Sequence, residues 1–330
     1  MSRFVGHYLY YLLTDRQIVW QIWSELTGRT IKVSSADFKL QSSPMVIDRA
    51  DITWGWLTLF SQGNFLILEL ASAVQDGLDS TLGWLRAEFF AVVNKLDELP
   101  LRIGETTLVV AEAEEMTGWL VPIEEVSFST RFGQLTYIKT AAEEQRHLYR
   151  VNPTDLTEEG LNGLRSWLPL LEKAIFTHNA RMRYLGERTR IISAIADEIE
   201  QAVSAGLHQR FGTGHELPTA EELEAGIGQL SKQYGTLAGY YRLLRESQTI
   251  LDNSFTELLQ AARRLMGPAT ESDLAGYLSL CQRTANLVQQ VNEQVTLTMG
   301  DVKAGIEVAR TQVDLLRSKE SVELLLCGNT

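Results

Sequence analysis

The sequence predicts an α+β fold: an N-terminal ferredoxin-like (βαββαβ) domain with extra strands, followed by a long antiparallel three-helix coiled-coil bundle. Three observations predict it. Over residues 1–152, short apolar runs bounded by turn residues alternate with helically spaced segments. From about residue 157 the apolar positions recur in alternating steps of four and three, the period of a helical seam. Two joints rich in Gly and Pro then divide this second half into three segments of similar length.

The first element is FVGHYLYYLL, residues 4–13, apolar and aromatic enough for a buried strand. In DRQIVWQIWSELTG, Ile18, Ile22 and Leu26 fall at helical spacing and Gly28 supplies a stop. A polar stretch through Pro44 reads as irregular. ITWGWLTLF and NFLILELA, separated by SQG, read as two strands of a tight hairpin. TLGWLRAEFFAVVNKLDELP is helical in spacing and stops at Pro100, and TTLVVAEA is the next strand. The order strand, helix, strand, strand, helix, strand is the split βαβ pattern of ferredoxin-like folds. Further strands are expected in WLVPIEEV, QLTYIKT and HLYRV, and NPTD at 152–155 carries a turn and a helix start.

The first seam runs Leu164, Leu168, Leu171, Ile175, His178, Met182, Leu185, Thr189, Ile192, Ala196, Ile199, Val203, Gly206. The second runs Leu223, Ile227, Leu230, Tyr234, Leu237, Tyr241, Leu244, Gln248, Leu251, Phe255, Leu258, Ala262, Leu265, broken by Gln248 alone. The third runs Leu274, Leu278, Cys281, Ala285, Val288, Asn292, Val295, Met299, Val302, Ile306, Ala309, Val313, Leu316, Glu320. A chain that is 45% hydrophobic fills about half of such positions by chance, so continuity of this kind marks three long helices. FGTGHELP (211–218) and GPATESD (267–273) supply the glycines and prolines that end one helix and open the next. Short joints make consecutive helices antiparallel neighbours. The expected division is a domain over 1–152 and a rod over 157–326, with helices at about 157–210, 219–266 and 271–324, each about 70 Å long at about 1.5 Å per residue.

Composition bounds the partners. The formal net charge of −12 argues against nucleic acid, which needs clustered Lys and Arg on one face. Two cysteines, Cys281 and Cys327, and an N-terminus without a small-residue cleavage site after its apolar run lead us to expect a cytoplasmic chain without a signal peptide. No apolar run approaches the roughly 18 residues of a membrane helix, so no membrane span is expected.

The chemistry-bearing residues do not assemble into a motif. His7, His147, His178, His208 and His215 lie outside metal-ligand spacings, and His178 falls on the first seam as a core histidine. Cys281 falls on an apolar seam, where it packs as a small hydrophobe, and Cys327 lies near the end. FGTGHE looks like part of a glycine fingerprint but follows a helix, not a strand, and so lacks the context that cradles a pyrophosphate. Glu112, Glu114, Glu115, Glu124 and Glu125 form an acidic face, read here as solvated although such oxygens attract divalent cations. Trp54, Trp56, Trp84, Phe89 and Phe90 read as an aromatic sheet-to-helix core, not a ligand pocket. The expectation is therefore no catalytic residue, no cofactor and no metal. Asn292 and Gln248 are register candidates, because a polar group in an apolar seam fixes pairing at a cost in stability. Val308, Leu315 and Val322 add a second apolar line beside the last seam, where another chain is expected.

HYLYYLL, RQIVWQIWSELTG, WGWLTLFSQGNFLILELA, LGWLRAEFF and TTLVVAEA together resemble the caspase and TPR-repeat-associated (CATRA) modules of bacterial conflict systems, over the first third of the chain. That resemblance implies an accessory role beside a caspase-like protease in bacterial immunity. Residues 274–320 are similar to the stalk of CorA-like cation transporters, in which an α/β domain leads into long helices. This implies sensing of divalent cations, but the membrane helices and GMN signature of that family are missing, so transport is not expected. The sequence thus points to a non-enzymatic protein-interaction or regulatory module with a protein partner and possible self-association, and alternatively to a CorA-like cation-sensing domain.

Overall fold

A computed structural model describes residues 3–12, 16–28, 41–44, 55–62, 65–74, 77–94, 102–116, 124–139, 146–211, 219–267 and 275–327. The fold is α+β, a mixed sheet followed by three long helices. Its elements are β1 (Phe4–Leu12), α1 (Arg16–Thr27), β2 (Gln41–Pro44), β3 (Gly55–Gln62), β4 (Phe65–Ala73), α2 (Leu78–Val93) and β5 (Arg102–Val110). There follow β6 (Glu124–Thr130), β7 (Gly133–Lys139), β8 (Arg146–Val151), α3 (Glu158–Phe211), α4 (Ala220–Met266) and α5 (Ala275–Cys327). Among the described residues, no helix is long and apolar enough to cross a membrane.

The chain divides into two compact units, one of Met1–Ala180 with Thr256–Ala275 and the other of Arg181–Phe255 with Gly276–Thr330. In the first, eight strands lie in the order β2-β3-β4-β1-β5-β8-β7-β6. All neighbours are antiparallel except β5 and β8, which are parallel. β1 sits centrally, buried along both faces, which is why FVGHYLYYL shows no polar alternation. Successive side chains point to opposite faces of a strand. Val5, Leu9 and Tyr11 therefore join one core with Val19, Ile22, Trp23 and Leu26 of α1 and Leu78, Leu82, Leu85 and Phe89 of α2. Phe4, Tyr8 and Tyr10 belong to the opposite face, where the first turns of α3 pack: Arg165 stacks over the Phe4 ring and Phe176 tilts against Tyr10.

Local chemistry sets the element ends. Gly28 takes φ 64° after α1 and donates its N–H to the Ser24 carbonyl at 2.8 Å, a left-handed cap that favours glycine. Thr219 and Glu222 form a reciprocal capping box at the start of α4, each backbone N–H donating to the other's side chain, at 2.9 and 3.2 Å. In α3, Gly163 makes room for the β6–β7 turn, since a Cβ there would lie 2.2 Å from the Phe132 ring. The same turn is tied to the end of α4 by the Arg131 N–H, which donates to the Leu265 carbonyl.

Two expectations from the sequence need correction. The stretch ending at Pro44 is not wholly irregular, because Gln41–Pro44 pairs with β3 as a short edge strand. A polar four-residue edge strand has no apolar alternation to betray it, and proline is tolerated there because the edge needs no donor. The strand expected in TTLVVAEA stops at Val110 and gives way to a 3-10 turn over Ala113–Met116. The Glu112 N–H donates to the Glu115 carboxylate and so closes the turn locally.

In the second unit, Met182, Leu185, Ile192, Ala196, Ile199 and Val203 of α3 share one core with Leu237, Leu244 and Leu251 of α4 and Val288, Val291, Val295 and Val302 of α5. Gln294 of α5 accepts from Ser193 and donates to Asp197, both on α3, and Arg317 of α5 pairs with Glu224 of α4.

Candidate functional site

The first unit concentrates its buried polar groups around three carboxylates. Glu69 lies mid-strand in the apolar run FLILELASA and is almost fully buried. A carboxylate in such a place is costly unless paired and hydrogen-bonded. Arg165 of α3 supplies both, donating from Nε and Nη2 to the two oxygens of Glu69 at 2.8 Å each. Tyr8 adds a third bond from its hydroxyl at 2.9 Å. Burial first, and then the Glu69 charge, push the Tyr8 hydroxyl well above its ordinary range, so it remains a donor. For Arg165, burial alone would lower the guanidinium, but the hydrogen bonds and charge of Glu69 outweigh it and raise it further.

Glu172 lies two helical turns further along α3 and has no exposure. Its carboxylate accepts from Thr106 Oγ1 at 3.1 Å and Tyr149 OH at 2.6 Å, and His147 Nδ1 lies 2.5 Å away. These three come from β5 and β8, whose parallel register places Thr106 opposite His147. Aromatic rings close the site. Phe176 lies 4.8 Å from the His147 ring and 5.2 Å from Tyr10, and Tyr137 packs on His147 and Tyr149. Gly104 makes this possible, since any Cβ there would fall 2.5 Å from the Phe176 ring. Burial, followed by the Glu172 charge, raises Tyr149 and Tyr10 well above the usual phenol range.

A histidine held by a carboxylate is the orienting half of a nucleophilic triad. Here, however, the neighbouring hydroxyl of Thr106 donates to the carboxylate and not to the imidazole. With both oxygens of Glu69 and of Glu172 engaged, the two carboxylates act as keys that fix α3 on the sheet.

The third carboxylate, Glu105, is nearly buried on the α2 side of the sheet. Three guanidiniums approach it: Arg102 at 2.7 Å, Arg146 at 3.3 Å and Arg86 of α2 at 3.4 Å. His7, buried beside them and bonded to Thr107 at 3.0 Å, is held down to about 3, first by burial and then by Arg86, Arg102 and Arg146.

The residues singled out from the sequence are dispersed. Asn292 is in the α5 seam with its Oδ1 buried and without a hydrogen-bond partner among the described residues. Val308, Leu315 and Val322 lie outside the seam, at 46%, 65% and 55% exposure. The five acids separate into Glu112, Glu114 and Glu115 around the 3-10 turn and Glu124 and Glu125 on β6. Glu115 pairs with Arg3, Glu124 with Lys139 and Glu125 with Arg150. Among the described residues no group of three or more His, Cys, Asp or Glu is arranged to hold a metal. His178 is buried in α3. Trp84 and Phe89 join the α2 core while Phe90 is 44% exposed. The side chains of Trp54, Trp56, His208, His215, Cys281 and Cys327, and most of the FGTGHE stretch, lie outside the described residues.

Sequence reasoning missed the keys themselves. A signal for one existed, since a lone glutamate inside LILELA demands a partner, but nothing in the sequence says which of the basic residues provides it. The chain matches no protein-family model, no curated protein and no solved structure.

Proposed function

We propose that the chain is a non-enzymatic protein-interaction or regulatory module. In this reading a ferredoxin-like unit with extra strands docks or senses, and an antiparallel three-helix coiled coil assembles. The order β3-β4-β1-β5, with α1 and α2 in the two crossovers, supports the first part. The shared core of α3, α4 and α5 and the Glu224–Arg317 pair, which joins the start of α4 to the end of α5, support the second.

The observation that carries the interaction reading is the line Val308, Leu315, Val322. Its members recur at i, i+7, i+14 on α5, so they share one face, and each is 46% exposed or more. Aliphatic residues repeated at heptad spacing beside a seam that is buried as far as Val313 are a helix face that gains free energy when another chain covers it. The engaged carboxylates of the first unit fit the same reading, because groups committed to fixed partners position elements and do not turn over substrate. Pairing of three of the five surface acids with Arg3, Lys139 and Arg150 favours it over cation sensing.

The likeness to caspase-associated modules names the effector class, a caspase-like protease of a bacterial defence system. Co-expression with a bacterial caspase-like protease tests it. The protease is expected to co-purify with the wild type and to be lost from a Val308→Ser, Leu315→Ser, Val322→Ser variant of unchanged helicity. Retention by that variant, or no co-purification at all, would overturn the assignment.

A further inference from the structure

We propose that Arg86, Arg102 and Arg146 form a binding site for a small phosphate-bearing ligand, with Glu105 as the fixed carboxylate that gathers the three guanidiniums. The site lies on the α2 face of the sheet, where β5 and β8 run parallel and both begin, Arg102 and Arg146 opening the two strands. Arg86 reaches it from the middle of α2.

Three observations carry the assignment. The first is the charge count: among the described residues, three guanidiniums converge on one carboxylate, a local surplus of two positive charges in a chain of formal net charge −12. A cluster serving stability alone would approach neutrality, because like charges crowded around a poorly solvated site repel one another. The second is the set of unused donors. Only the Arg102 contact is short, while Arg86 and Arg146 stand off the same Glu105 oxygen at 3.4 and 3.3 Å, so most of their N–H groups are not spent on it. No further partner of these arginines is present among the described residues. The third is access. Glu105 is 5% exposed, whereas the side chains of Arg86, Arg102 and Arg146 are 41%, 27% and 41% exposed, so the anchoring carboxylate lies below and the free donors face solvent. Planar guanidinium forks that converge from three elements suit the several oxygens of a phosphate better than a single carboxylate. His7 sits under the cluster as a neutral ring and adds no competing charge.

Calorimetric titration of the full chain with pyrophosphate, at ionic strength fixed with sodium chloride, tests the site. Saturable binding is expected, weakened at least about ten-fold in an Arg86→Gln, Arg146→Gln variant, in line with the loss of charge-assisted hydrogen bonds. Far-UV circular dichroism checks the fold of that variant; if it does not fold, Arg146→Gln alone at the exposed rim is read in the same way. Tighter binding of ATP than of pyrophosphate assigns the site to a nucleotide, and equal or weaker binding assigns it to a free phosphate anion. Heats that do not saturate, equal binding by wild type and folded variant, or sulfate matching every phosphate ligand at equal ionic strength would each overturn the proposal.

Discussion

Glu172 shows how much rests on single buried side chains. Its carboxylate collects Thr106, His147 and Tyr149 at one fully buried point. Glu172→Ala leaves those groups without their acceptor and should lower stability to urea by about 3 kcal/mol, with a smaller loss for Glu172→Gln. A loss under about 1 kcal/mol would show that α3 is held by apolar packing alone. His7 gives a pH signature. Its folded value near 3 lies below the ordinary 6.5, so between these limits the unfolded chain takes up a proton that the folded chain refuses. The stability contributed is complete above about pH 6.5 and drains away as pH falls toward 3. The unfolding free energy from urea titrations should fall between pH 7 and pH 4 more steeply for wild type than for His7→Gln, by on the order of 3 kcal/mol. Equal slopes would place the histidine in water.

At the scale of elements, legibility followed local periodicity. From Leu164 to Val203 every seam position of α3 is buried except Ile175, which is half-buried, because a helix records its burial at a fixed step in its own sequence. β1 and β4 were legible as continuous apolar runs for the same reason. β2 was not, since QSSP contributes three polar residues and a proline at the sheet edge, without pattern. The polar keys were not legible either, because their partners meet only through the tertiary fold: Arg165 is 96 residues from Glu69, and Thr106 is 66 from Glu172. Asn292 was readable as a break in the α5 seam, and its buried, unpartnered Oδ1 gives the break an energetic meaning. Removing an unsatisfied buried acceptor should stabilise, so Asn292→Val is expected to raise the melting temperature, equivalent to about 1 kcal/mol, while relaxing helix pairing. A fall in melting temperature would mean that the amide is satisfied in solution.

At the scale of the whole molecule, the excess negative charge keeps most of the surface solvated and makes the exceptions informative. Two such exceptions among the described residues are the arginine cluster around Glu105 in the first unit and the aliphatic line of α5 in the second. The line was visible in the sequence as surplus apolar residues beside the seam, and the cluster was not, since α2, β5 and β8 bring its members together. The central claim is that Val308, Leu315 and Val322 form a protein-contact face, through which copies of the chain pair when no effector covers it. Multi-angle light scattering of the purified chain over a range of micromolar concentrations addresses it without any assumption about the effector. The account predicts a mass above the 37.1 kDa of a single chain that rises with concentration, and a return to that single-chain mass for Leu315→Glu. A wild type that stays at the single-chain mass throughout, or a Leu315→Glu variant that assembles equally well, would contradict it.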